Sequence, residues 1–277
     1  MKKIKLAALD LDDTTLKSDS TLAEETNEAL LAAVNVGIEI VVASGRAFTS
    51  LPKQILAMEG VNYAITSNGS AIEMAKTGER IYSRTLPQNV ARAILDSFPD
   101  AMFECFIAGQ PYCLREYMED PVKFGCSPAY IGYVKTTRKP VEDMRAFITE
   151  NISRLDSIDV ICPTPEIKEK TYAKGKTIAG AYVTSSSPRL VEFAAADAGK
   201  EKALRWLCEK LGVAAENVAA FGNGDNDADM LIFAGLGVSV QNGTAYCRES
   251  ADYICETNDD FGVAKTLYKI IKKEPIE

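Results

Sequence analysis

The 277-residue chain contains no histidine. That excludes Ser-His-Asp and Cys-His nucleophilic catalysis, and any zinc site that relies on imidazole. Acid and base chemistry is left to Asp, Glu, Lys, Tyr or Cys. The seven cysteines (105, 113, 126, 162, 208, 247 and 255) are odd in number and have no C-x-x-C spacing. They predict reduced, packed thiols in a cytoplasmic protein rather than a disulfide frame. No apolar run approaches the roughly 20 residues of a spanning helix. No secretory pattern follows Met1-Lys2-Lys3 either. Positive charge is also in deficit: 31 Lys and Arg against 39 Asp and Glu leave a net charge of −8. That argues against nucleic acid or an anionic membrane as partner.

What is present is regular alternation. Leu6 to Leu9 reads as a buried strand, and Leu22 to Val36 as an amphipathic helix closed by Gly37. Ile38 to Ala43 is a near-continuous β-branched run, typical of a parallel strand covered on both faces. Ala47 to Met58 predicts a helix with Pro52 in its early turns, and Tyr63 to Thr66 a third strand. The C-terminal third repeats the scheme. Helices are expected over 200–211, 227–233 and 261–271, and strands over 218–221, 236–240 and 253–255. Repeated β-α units imply an α/β fold with a Rossmann-like parallel sheet and helices on both faces.

The middle of the chain differs. Helix-like segments at 89–97 and 141–152 are interleaved with aromatic-rich strands at 102–107, 112–114, 158–162 and 178–183, several alternating in polarity. This predicts an α+β module at 84–190, inserted into a core made of 1–83 and 191–277.

Four strand ends carry the chemistry, because ligands of open α/β sheets bind outside the carboxyl ends of the strands. The first is Leu9-Asp10-Leu11-Asp12-Asp13-Thr14-Thr15. Residues i and i+2 of a strand share a face, so Asp10 and Asp12 can converge on one small volume. Two such anions need a cation or a proton between them. That points to a Mg²⁺ site in which one carboxylate can also attack as a nucleophile. The second is Ser44-Gly45-Arg46, a hydroxyl and free N–H groups before an expected helix, as in a phosphate cradle. The third is Lys200 at a helix start, and the fourth is Gly222-Asn223-Gly224-Asp225-Asn226-Asp227, oxygen-rich and open to a hard cation. Taken singly, each has a plainer reading: an acidic turn, a serine helix cap, a solvated lysine, an Asx-rich turn.

Taken together, in this order and spacing, the motifs resemble the haloacid dehalogenase superfamily of phosphatases. The match is D-x-D-x-T at Asp10, Asp12 and Thr14, then Ser44-Gly45-Arg46, Lys200, and G-x-G-x-N-D at Gly222 to Asp227. The Cof-type sugar phosphatases are similar in a further respect: they carry a large cap between the second and third motifs, and an Asn-Gly pair like Asn68-Gly69. The resemblance implies a Mg²⁺-dependent phosphatase of small phosphorylated metabolites such as sugar phosphates. Asp10 would form an aspartyl-phosphate, and Asp12 would protonate the leaving oxygen and then activate water. Ser44, Lys200, Asn226 and the Leu11 and Gly45 backbone would hold the phosphoryl oxygens. Asp10, the Asp12 carbonyl, Asn223 and Asp227 would surround the metal.

One departure stands out: Asn223 occupies a position where the family usually has Asp, so metal affinity should be lower. That motivates one alternative, an impaired phosphosugar-binding or regulatory protein; a phosphomutase on the same scaffold, with a cap that returns the phosphoryl group to a sugar hydroxyl, is another. Arg46 is expected to anchor its helix or an ion pair rather than touch substrate. In the insert, Tyr112, Arg115, Tyr130, Tyr133 and Lys174 could meet a substrate, although each reads first as fold or surface. Oligomeric state is not legible.

Overall fold

In a computed structural model describing residues 3–276, two sheets account for the strands. The terminal residues 1, 2 and 277, counted with the expected core, lie outside the described residues. The first sheet begins with β1 (Leu6–Leu9), β2 (Glu39–Ala43), β3 (Val61–Thr66), β4 (Ala71–Met74) and β5 (Arg80–Ser83). The second contains β6 (Met102–Ile107), β7 (Gln110–Leu114), β8 (Lys139–Val141), β9 (Leu155–Ile161), β10 (Ala181–Thr184) and β11 (Leu190–Ala195). The chain then returns to the first sheet with β12 (Val218–Gly222), β13 (Leu236–Val240) and β14 (Tyr253–Cys255).

The first sheet runs β14-β13-β12-β1-β2-β3-β4-β5, parallel from β14 to β3 and closed by the antiparallel edge β4-β5. Its strands read as solid apolar runs because alternate residues feed opposite cores. Ala7, Leu9, Ile40, Val42 and Phe221 meet helices Glu24–Asn35 and Gly262–Lys272 on one face. Leu6, Ala8, Val41, Ala43 and Ala220 meet helices Lys200–Leu211 and Ala228–Phe233 on the other. The order reverses at β1, which has β2 on one side and β12 on the other. That switch point opens a crevice at the carboxyl ends of the strands.

The second sheet runs β10-β11-β9-β6-β7-β8 and is antiparallel except for β7-β8. Phe103, Cys105, Ile158, Val160, Val191 and Phe193 point to one side, where helices Gln88–Ser97 and Met144–Glu150 cover them. The alternate positions 104, 159 and 192 face the other way and are acidic.

Three expectations need correction. Ala47 to Met58 is not one helix but a short turn, Phe48–Ser50, and a helix, Lys53–Ala57. Pro52 forces this: Leu51 before it is extended (φ −72°, ψ 145°), and proline offers no N–H to a helix running through it. The helix expected from Val141 starts at Met144, because Asp143 caps it by accepting from the Ala146 N–H, and Val141 lies in β8. The boundary at 190/191 would divide β11, which lies wholly in the second sheet, paired with β9 and β10; that sheet therefore runs on to Ala195.

All seven cysteines are free thiols and six are buried. Among the described residues no helix is long and apolar enough to cross a membrane.

Candidate active site at the switch point

Asp10 leaves β1 with its N–H donated to the Phe221 carbonyl of β12 (3.0 Å), which ties the turn to the switch point. The Thr15 hydroxyl donates to the Asp10 carbonyl (2.6 Å), and Asp13 takes a left-handed conformation (φ 55°) to turn the chain. Asp10 and Asp12 do sit beside each other, yet their oxygens bind different cations. The Asp10 Oδ1 accepts from Lys200 Nζ (2.8 Å), whereas Asp12 takes a two-point contact from Arg46 (2.8 and 2.5 Å).

Lys200 is the centre of the site. Its buried Nζ also donates to Asp227 Oδ1 (2.6 Å). It is placed there by a close backbone approach: Gly69, at φ +85°, packs against the Gly199 carbonyl, where any side chain would collide. Burial works against the Lys200 charge, but Asp10 and Asp227 outweigh it and hold the pKa above that of ordinary lysine. Burial and the neighbouring Asp227 charge push Asp10 up to about 7, with Lys200 pulling the other way.

Asp227 has both oxygens engaged. Oδ1 meets Lys200, and Oδ2 accepts from the N–H groups of Asn223 and Gly224 (2.9 Å each). In this arrangement Asp227 clamps the β12 loop and the lysine. Gly222 is required there, since a Cβ would collide with the Asp227 side chain. Among the described residues no three acidic, Cys or His side chains are gathered as a cation cage. The unengaged oxygens are Asp10 Oδ2 and the Asn223 amide, for which no hydrogen bond is formed with any described residue.

Ser44 ends β2, buried, with Oγ accepting from the Arg46 N–H (3.1 Å). No helix begins behind it, so the expected cradle at a helix N-terminus is a tight turn instead. Across the crevice Asn226 Nδ2 donates to Asn68 Oδ1 (2.9 Å), joining the ends of β12 and β3, while the Asn68 N–H donates to the Ser44 carbonyl (3.2 Å). Ser44, Gly45, Asn226 and Lys200 therefore line one crevice with Asp10.

The second sheet covers this crevice. Arg80 of β5 pairs with Glu73 of β4 and, through two contacts of 2.6 and 3.0 Å, with buried Asp156 of β9. The Thr49 hydroxyl donates to the Gly109 carbonyl (2.9 Å) nearby. Of the insert residues singled out in the sequence, Tyr133 reaches the crevice: its ring lies 4.5 Å from both the Arg46 and the Arg138 guanidinium. Tyr130 lies within the electrostatic reach of Asp13 and Asp12. Tyr112 stacks on Phe147, Arg115 pairs with Glu142, and Lys174 donates to the Ser97 carbonyl, all away from the crevice. Arg46 is an ion-pair residue as expected, but its partner is Asp12.

Sequence reading missed Glu104, Asp159, Glu192 and Arg138. The available signal was an acid set among apolar neighbours on a strand, Phe103-Glu104-Cys105 and Ile158-Asp159-Val160.

Comparison with known proteins agrees with this architecture. The family of haloacid dehalogenase-like hydrolases matches residues 7–267. The 5-amino-6-(5-phospho-D-ribitylamino)uracil phosphatase YcsE of Bacillus subtilis is 28% identical over 268 residues, covering 95% of this chain and 94% of that protein. Phosphatase YwpJ of the same organism is 28% identical over 286 residues, covering 97% and 100%. A haloacid dehalogenase-like hydrolase structure from B. subtilis superposes with a TM-score of 0.83 at 26% identity, over 96% of this chain and 99% of that one.

Proposed function

The chain belongs to the haloacid dehalogenase-like hydrolases, and from that premise we propose a Mg²⁺-dependent phosphatase of small phosphorylated metabolites such as sugar phosphates. The observation that carries the proposal is the buried Asp10–Lys200–Asp227 set, which fixes one oxygen of Asp10 and leaves the other unengaged. Phosphoryl transfer needs charge neutralisation and in-line positioning more than an exotic reagent; this set holds Asp10 in place, and because its two carboxylates outnumber the lysine, neutralisation falls to the metal.

In the proposed reaction Asp10 Oδ2 forms a bond to phosphorus as the ester P–O bond breaks. Asp12, once released from Arg46 and carrying a proton taken from water, gives that proton to the leaving oxygen. Water then attacks the aspartyl-phosphate, Asp12 takes the proton from that water, and inorganic phosphate and free Asp10 result. Lys200, the Ser44 hydroxyl, the Asn226 amide and the Leu11 and Gly45 N–H groups hold the phosphoryl oxygens. Arg46 holds both Asp12 oxygens in the free protein, so this pair must open before Asp12 can handle the proton. A divalent cation suits the donors that remain: Asp10 Oδ2, the Asn223 amide oxygen and the Asp12 carbonyl are hard oxygen ligands. When bound, Mg²⁺ supplies positive charge against the phosphoryl oxygens. With only Asp10 charged among those donors, affinity should be low. Asp227 serves the site by holding its loop and Lys200.

The test is phosphate release from a panel of phosphorylated sugars and sugar alcohols with Mg²⁺. Asp10→Asn keeps the shape but removes the nucleophile, so release should fall below about 1% of wild type, a barrier increase of at least roughly 2.7 kcal/mol. Higher residual activity, after deamidation back to Asp is excluded, would sink the assignment. Rearranged sugar phosphate without release would point to a mutase.

A further inference from the structure

Facing the crevice from the second sheet is a row of three buried carboxylates. Cross-strand register sets Glu104 of β6 opposite Asp159 of β9, and Asp159 opposite Glu192 of β11. Directly opposed side chains lie about 5 Å apart, and like charges so placed repel. The two outer members have partners. Glu104 is paired with Arg138 through contacts of 3.1 and 3.2 Å, and Glu192 accepts from the N–H and hydroxyl of Ser186 (2.6 and 2.8 Å). Asp159, 2% exposed, accepts no hydrogen bond from any described residue, and only the charge of Arg138 acts on it in compensation.

The row joins the crevice at both ends. At one end Glu192 faces the Asn68 side chain and the Lys200 charge, and Lys200 touches Asp10. At the other, Glu104 leads through Arg138, the Tyr133 ring and Arg46 to Asp12. The two paths make a closed ring of polar groups, with Asp159 across from the two aspartates. A phosphoryl group at Asp10 would put the rest of its ester inside that ring.

A buried carboxyl without a partner is costly, and such groups are completed by something. A hydroxyl would supply a hydrogen bond but no charge to a row whose cations are Arg138 at one end and, at the other, Lys200, which is already shared with Asp10 and Asp227. An ammonium supplies both the hydrogen bond and the missing charge, and charge-assisted bonds are the stronger kind. We propose that the Glu104–Asp159–Glu192 row is the leaving-group site, and that it selects phosphate esters bearing a cationic amine, which the Asp159 carboxylate holds. This rests on the phosphatase reading for where the phosphoryl group sits. It also accords with the state of Asp159 in the free protein, where burial and then the charges of Glu192 and Glu104 raise its pKa well above the carboxylate range.

The experiment is calorimetric binding to the full-length Asp10→Asn protein with Mg²⁺, using glucosamine 6-phosphate, N-acetylglucosamine 6-phosphate and glucose 6-phosphate as probes. The amine ester should bind about tenfold more tightly than either neutral ester, a typical margin for a desolvated charge pair. Adding Asp159→Asn should bring it down to their level, with the thermal midpoint not lowered. Equal affinities in the parent protein overturn the proposal, as does a preference that survives Asp159→Asn. Preference for both nitrogen-bearing probes over glucose 6-phosphate would replace charge by simple hydrogen bonding and overturn it too. Failure of the phosphatase reading shows up separately, as wild-type protein that releases no phosphate from any ester.

Discussion

Two buried acidic sets face each other across the crevice, and they are treated differently. In the core, Asp10 and Asp227 share one lysine, and every oxygen but Asp10 Oδ2 is hydrogen-bonded. In the inserted sheet, Arg138 and Ser186 satisfy the two outer carboxylates and leave Asp159 between them without a hydrogen bond. The first arrangement holds its own geometry before any ligand arrives. The second is incomplete, and its burial is tolerated at a cost to the fold. Pre-organisation and recognition thus lie on opposite walls: the parts that must not move are compensated from within, and the part that must discriminate is left open.

The largest effect should come from breaking the compensated set. Lys200→Met leaves Asp10 and Asp227 buried side by side without a cation. We expect a loss of about 3–5 kcal/mol in urea unfolding, the usual result of removing one partner of a buried ion pair, together with loss of phosphate release. A loss under about 1 kcal/mol would mean that water or counter-ions reach the pair and that the compensation described here is not structural.

Asn223→Asp sharpens the comparison from the metal side. It adds a charged oxygen of nearly the same volume beside Asp10, so the Mg²⁺ concentration for half-maximal activity should fall by about tenfold, or 1.4 kcal/mol. An unchanged midpoint would show that residue 223 is not a ligand, leaving Asp10 and backbone oxygens to hold the cation.

The smallest effect tests the uncompensated set and has the opposite sign to the lysine variant. The folded protein keeps a proton on Asp159 that the unfolded chain releases, because the folded pKa is raised. Such a group stabilises least at high pH: its contribution is complete below the unfolded carboxylate range and is lost as pH rises through and above it. Asp159→Asn has no proton to lose. Its thermal midpoint should exceed wild type by about 2–4 °C at pH 8, with the gain shrinking toward pH 4. Glu104, Glu192 and Arg138, which face Asp159, are unchanged in this comparison. A destabilised variant at pH 8 would mean that Asp159 is ionised and supported in the free protein.

How much of this was legible depended on distance along the chain. Strands β1, β13 and β14 and the helix Lys200–Leu211 were readable to the residue, because each carries a local signature: a two-sided apolar run, or helical spacing ended by Gly212 in a left-handed turn (φ 67°). The core motifs were readable as a set because all sit just after such strands or at a helix start. The acidic row was not. Residues 104, 159 and 192 lie on strands whose neighbours are settled by long-range pairing in the order β11-β9-β6, and nothing near any one of them announces the other two. The turn after Ser44 was misread because helical spacing continues past Pro52, although the backbone cannot.

The register of β1 has a consequence for how the molecule is made. Leu6 pairs with Val218, and Asp10 with Lys200, so the central strand acquires its second neighbour only when the chain is nearly complete. The inserted sheet is contiguous in sequence from β6 to β11 and is finished earlier. A chain emerging from the ribosome can therefore complete its inserted sheet while one flank of β1 is still bare. Contacts of such long sequence separation form slowly, and until they form an apolar strand edge stays open to other chains. The strand that carries Asp10 is thus also the one that waits longest to be covered.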